Sequence, residues 1–197
     1  MVWAKNGSTT LSGTADEINV SLTTDKTMTV LTHAFSSGVL TDRFRVGNTT
    51  VDSGSNYSRR TSTDGSADST AVSQSIMYDA LGGLSNVNKF NITYIVNIAT
   101  EEKLLIGFGA ITDTAGSGTA PQRSEYVCKW ANTSNQFDKW QNTNGGAGDY
   151  VTNSNTTILA SDLTPEAGKT IETGSIYIDT DTNQRYFWNG SSWSLQA

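Results

Sequence analysis

Along most of this chain apolar and polar residues alternate one by one, the period of a strand with one buried face. In "EINVSL", Ile18, Val20 and Leu22 share one side and Asn19 and Ser21 the other. "KFNITYIVNIA" is the longest such run. Phe90, Ile92, Tyr94, Val96 and Ile98 share one face, and Asn91, Thr93, Ile95 and Asn97 the other. Its length predicts a central strand, and its more apolar face predicts the side turned to the interior. "KTMTVLTHAF" and "EEKLLIGFGAI" are apolar enough to be partly buried on both faces. "TDRFRV", "NYSRRTS", "AVSQSIMY", "SEYVCKW", "QFDKWQN" and "TTILAS" complete a series of about nine or ten short strands.

Gly, Asn and Asp punctuate the series in "SSGV", "DSGSN", "TDGSAD", "LGGLSN", "AGSGTAP" and "NTNGGAGD". These residues supply positive φ or local side-chain bonds, so each segment predicts a loop. No window of a dozen residues carries a helical apolar stripe, and "ATEEKL" reads as a tight hairpin between two strands. The expected fold is all-β: an antiparallel β-sandwich of jelly-roll type, with a small C-terminal β-hairpin. Residues 1–161 make the sandwich and 162–173, "DLTPEAGKTIET", a linker. Residues 174–197 make the hairpin module, which alone would be marginal in water and has to pack its aromatics on something.

Composition narrows the function. The 197 residues are 36% hydrophobic and 16% charged, with Ser, Thr, Asn and Gly filling the gap. Net charge is −6, and the 13 Lys and Arg form no run longer than Arg59-Arg60, so no nucleic-acid partner is expected. No basic amphipathic segment or long apolar run points to a membrane, and "MVWAKNGSTT" does not read as a secretory signal.

Candidate chemistry is sparse. Cys128 is the single cysteine and lies in a strand-like run, where a buried inert thiol is expected. His33, the single histidine, reads as a packed, hydrogen-bonded strand residue. Asp179, Asp181 and Asn183 imitate the start of a calcium loop, but Gln184 and Gly190 stand where Gly and an acid are required. Asp64 and Asp68 carry no more. A nucleophile elbow and a phosphate loop are both missing. No catalytic residue, metal or cofactor is expected, and Trp130 and Trp140 are assigned to the sandwich interior.

The aromatics near the C-terminus are different. Tyr177, Tyr186, Phe187, Trp188 and Trp193 crowd into one short stretch. Most are expected to form a local apolar cluster. Tyr177, Tyr186, Trp188 and Trp193 are also the candidates for a partner-binding or glycan-stacking platform.

Those residues sit in "GSIYIDTDTNQRYFWNGSSW", which resembles a short module of tailed-phage fibre and virion surface proteins, G-x-I-Y-x-D-T-x-T-x-x-x-Y-x-W-x-G-x-x-W. Gly174, Ile176, Tyr177, Asp179, Thr180, Thr182, Tyr186, Trp188, Gly190 and Trp193 carry the match. In addition, "WAKNGSTTL", "GSNYSRRTSTDGSADST", "YIVNIATEEKLLIG" and "EYVCKWANTSNQ" are similar to a family of phage structural proteins. The resemblance implies a jelly-roll component of the virion surface, made in the host cytoplasm, with no catalytic residues to carry over. It implies other copies of this chain as partners, a trimer being expected, together with other virion proteins. A capsid decoration or short-fibre subunit is the expected role. The alternative is a tail-fibre, receptor-binding adhesin for a host surface glycan. Residues 174–193 are expected to grip protein; in the alternative, Trp188 and Trp193 make the ligand platform instead.

Overall fold

A computed structural model of the chain describes residues 2–114, 116–162, 174, 176–179 and 184–195. The chain divides into two compact units, Met1–Ser161 and Asp162–Ala197. Two antiparallel sheets build the first. The larger has eight strands in the order β1 (Val2–Thr10), β12 (Asn155–Asp162), β3 (Thr27–Phe35), β8 (Asn88–Val96), β9 (Lys103–Ile111), β10 (Gln122–Trp130), β5 (Tyr57–Thr63) and β6 (Ser69–Gln74). The smaller has four: β2 (Glu17–Ser21), β11 (Lys139–Asn144), β4 (Val39–Gly47) and β7 (Met77–Ser85). The all-β antiparallel sandwich read from the alternation is therefore what the chain forms.

The interior lies between these sheets. Val20, Met28, Phe44, Val46, Leu105, Trp130, Phe137, Trp140 and Ile158 are buried in one cluster, with Trp130 and Trp140 in the assigned place. Phe44 stacks on Trp140 with centroids 5.0 Å apart. A second cluster holds Ile18, Leu40, Leu81, Val87, Ile111 and Tyr150. Ile18, Val20 and Leu22 point inward as their spacing predicts. Gly107 faces inward on β9, where an added Cβ would meet the Tyr126 ring at 2.1 Å. The glycine is what lets that large side chain enter the core.

The most periodic strand corrects the expectation made for it. β8 is central, but its inward face is the one carrying Lys89, Asn91, Thr93 and Ile95. Phe90, Tyr94, Val96 and the following Ile98 are exposed, and Ile92 is half-buried. Alternation defines two faces and does not say which is inside. Here the polar face is tolerated in the core because its groups find partners. The Thr93 and Tyr126 hydroxyls lie 2.7 Å apart, and Asn97 Nδ2 donates to the Asp25 and Phe137 carbonyls at 3.1 and 3.2 Å.

Two other segments differ from the pattern. "AVSQSIMY", read as one strand, is broken after Gln74. β6 stays in the large sheet and β7 belongs to the small one. "LGGLSN", read as a turn, is mostly strand, because β7 continues to Ser85 through a bulge with Ala80 and Gly83 at φ +67° and +84°. The first strand, β1, was not signalled by alternation; it lies at the edge beside β12.

The second unit is a three-stranded antiparallel sheet of β13 (Ile176–Asp179), β14 (Gln184–Trp188) and β15 (Trp193–Leu195). Asn189 caps its second turn, its Oδ1 accepting the Ser191 and Ser192 N–H groups at 2.9 Å, and Gly190 takes φ +98°. Residues 163–173, most of the expected linker, lie outside the described residues.

Candidate functional site

The outward face of the eight-stranded sheet is apolar at its centre. Register places Tyr94 opposite Ile106, Ile92 opposite Phe108 and Val96 opposite Leu104 between β8 and β9. Across the next seam Ile106 meets Val127 of β10. Phe90, Tyr94, Val96, Leu104, Ile106, Phe108 and Val127 are each between 44% and 51% exposed. Single exposed apolar residues are ordinary; here seven lie together on three adjacent central strands.

The rim of this face is polar and electrically balanced. On the β10–β5 side Arg123 pairs with Glu125 at 2.6 Å, Lys129 with Glu102 at 2.8 Å and Arg60 with Asp68 at 3.0 Å. On the β3 side Thr27 and His33 lie opposite Val96 and Phe90, while Leu31 lies opposite Ile92 and carries the apolar surface further. At one end a depression of about 410 Å³ is lined by His33, Asn88, Phe90, Ala110, Thr112 and Pro121 among others. His33 is a strand residue 2.8 Å from Asn88 Oδ1, hydrogen-bonded as read from the sequence but exposed on the outer face rather than packed inside.

Behind this face lies a buried ionic cluster that alternation did not reveal. Lys89 Nζ is 2.6 Å from Asp79 Oδ2 and 3.6 Å from Asp42 Oδ2, and all three side chains are at most 1% exposed. Asn91 Nδ2 donates to both carboxylates, at 2.7 Å to Asp79 and 3.0 Å to Asp42. The Tyr150 hydroxyl donates to Asp42 Oδ1, which also receives Asn142 Nδ2 at 3.2 Å. Lys89 Nζ donates as well to the Leu81 carbonyl at 3.1 Å. The β7 bulge sets this geometry: Thr41 and Arg43 of β4 face Gly82 and Tyr78, so Asp79, Ala80 and Leu81 share the space opposite Asp42. Burial raises the Asp79 carboxyl above its ordinary range, the Lys89 charge opposing it. For Lys89 burial works downward, but the Asp79 and Asp42 charges outweigh it and raise the ammonium. The clue in the sequence was a lysine among the inward positions of β8, visible only once the face is known.

The other sequence candidates resolve simply. Cys128 is buried, and burial pushes its thiol up to about 12, so it stays protonated and inert. Asp64 Oδ1 accepts the Arg123 N–H at 2.8 Å, and Asp68 pairs with Arg60. Among the described residues no group of three His, Cys, Asp or Glu could hold a metal ion. Asp181 and Asn183 lie outside the described residues.

Of the four platform candidates, Trp188 and Trp193 come together. They face each other across β14–β15 with centroids 5.4 Å apart and rings tilted by 55°. Tyr177 lies opposite Tyr186 across β13–β14. Tyr186 donates to Gln184 Oε1 at 2.8 Å, and the Tyr177 side chain is outside the described residues. Compared with known proteins, the chain matches no family model, no curated protein and no solved structure.

Proposed function

We propose that this chain is a non-enzymatic structural protein of a tailed-phage particle, a capsid decoration or short-fibre subunit of jelly-roll type. It assembles with further copies of itself through the outer face of the eight-stranded sheet. The observation that carries the assembly is the contiguous apolar centre on β8, β9 and β10. The virion context rests on the resemblance of residues 174–193 and of the sandwich segments.

Two properties favour a second copy as the occupant. The four nine-residue strands β3, β8, β9 and β10 span a face of about 20 by 30 Å at ordinary strand spacings, roughly 600 Å² in projection. Side-chain relief raises the accessible area toward the ~800 Å² that each partner buries in a standard interface. In addition, each rim charge described above has an opposite charge in its own chain, so the face asks for no charged partner. That speaks against nucleic acid and an anionic bilayer. Copies that turn this face toward a common axis form a closed cyclic oligomer, and the fibre-type motif implies three.

Light scattering tests the assembly. The full chain is expected to run as one oligomer and Ile106→Asp as a monomer that keeps the strand signature of the folded sandwich by circular dichroism, because the site faces outward. A monomeric full chain overturns the assembly. An oligomeric Ile106→Asp that becomes monomeric only on deletion of residues 162–197 moves the clasp to the C-terminal module. The glycan-binding alternative rests on the Trp188–Trp193 pair. Loss of glycan-array binding in Trp188→Ala would support it.

A further inference from the structure

We propose that Lys89 and Asp79 are the reactants of an internal amide cross-link, formed without any cofactor, that joins the two sheets of the sandwich covalently. The reacting atoms are already together: Nζ stands 2.6 Å from Asp79 Oδ2 in a site closed to solvent. Groups held in this way react with effective concentrations far above any in solution. Amide formation from an amine and an acid is disfavoured in bulk water, but a sealed core has little water to reverse it.

The charge count favours the reaction. One ammonium and two carboxylates, all ionised, would leave a net negative charge in the core, which is costly. The stable arrangement therefore keeps one carboxyl protonated. Asp79, whose carboxyl burial raises, is the acid, and Asp42, 3.6 Å from Nζ, serves as the base. This sets an ammonium between an electrophile and a base.

The step balances with these residues alone. One Nζ proton passes to Asp42 Oδ2, 3.6 Å away. The freed amine forms the Nζ–Cγ bond to Asp79 while the Leu81 N–H, 3.1 Å from Oδ1, stabilises the charge gathering there. The Cγ–Oδ2 bond then breaks. The hydroxyl, carrying the acid's own proton, takes a second Nζ proton and leaves as water. The third proton stays on the amide nitrogen. No oxidation or reduction occurs, and the products are one amide, one water and a protonated Asp42.

Two further observations fit a reactive site better than a plain ion pair. Ala80, next to Asp79, is held at φ +67°, a conformation unfavourable for a residue with a Cβ, and bulges of this kind gather at functional sites. Asn91 Oδ1 and Ser124 Oγ are buried without a hydrogen-bond partner, and both lie within 3 Å of where a Gly109 Cβ would stand. Buried polar atoms without partners are rare and gather where a site does chemistry.

Intact-mass spectrometry of the full chain decides the matter, because no variant has to fold. The expected mass is one water below that of the sequence, in protein denatured before injection. Peptide mapping should then show the Lys89 segment joined to the Asp79 segment. A mass equal to that of the sequence overturns the proposal. So does a one-water deficit that maps elsewhere, such as to a cyclised Asp64-Gly65. In the soluble fraction of Asp42→Asn, which keeps both reactants, the full mass is expected to return; a fully linked Asp42→Asn overturns the part given to Asp42.

Discussion

Ile95→Asp is expected to abolish soluble folded protein, while Val96→Asp, one residue along the same strand, is expected to fold normally. Ile95 is 2% exposed and packs in the larger apolar cluster beside Leu105, its partner on β9. An aspartate there would carry an unpaired charge into the core and leave a void where the isoleucine stood. Together these cost several kcal/mol, a large share of the roughly 5–15 kcal/mol that holds a domain folded. Val96 points outward at 44% exposure, where a carboxylate keeps its water. If the outer face is the assembly face proposed above, Val96→Asp also places a charge in its apolar centre and should weaken self-association. Circular dichroism and light scattering on both purified variants check this. A folded Ile95→Asp together with an insoluble Val96→Asp would reverse the strand and restore the orientation that alternation suggests.

Lys89→Met removes both the ammonium and the proposed link, and is expected to destabilise the protein by at least about 3–5 kcal/mol at pH 7, the usual consequence of removing one partner from a buried ionic cluster. The buried carboxyls of Asp79 and Asp42 would be left without a cation beside them. The loss has a definite pH dependence. Burial already lifts the Asp79 carboxyl in the folded protein, and loss of the ammonium removes the charge that opposes the rise. Between the unfolded value near 4 and the higher folded value, the folded state binds more protons than the unfolded chain. Stability of the variant therefore falls as pH rises through that window and recovers as pH falls. Urea unfolding at pH 7 and pH 5 should show a smaller deficit against the wild type at the lower pH. An equal deficit at both would mean that lost packing or the lost link, not charge, is responsible.

How much of this could be read from the residues depends on the question. Strand positions followed from period-two alternation, because side chains on a strand must alternate sides whatever lies beyond them. The orientation of β8 did not follow. Phe90, Tyr94 and Val96 are more apolar than Lys89, Asn91 and Thr93, and hydrophobicity alone places them inside. The inversion requires knowing that Lys89 meets Asp79 and Asp42, and Thr93 meets Tyr126, contacts made between segments far apart in the chain or through an irregular bulge. The division of "AVSQSIMY" between two sheets was hidden for the same reason, since it is the sheet pairings that separate its two halves. The C-terminal aromatics were legible as a strand-turn-strand unit because Asn189 and Gly190 supply the turn locally.

The internally paired rim has a thermodynamic consequence. Arg60, Arg123 and Lys129 each bring an acidic neighbour from their own chain, so joining two such faces releases few counterions and ionic strength has little to act on. What remains is the removal of apolar surface from water, whose signature is a fall in heat capacity on association and a driving force that fades on cooling. A particle held by this face would keep its subunits through wide swings of salinity, and would be loosened by cold.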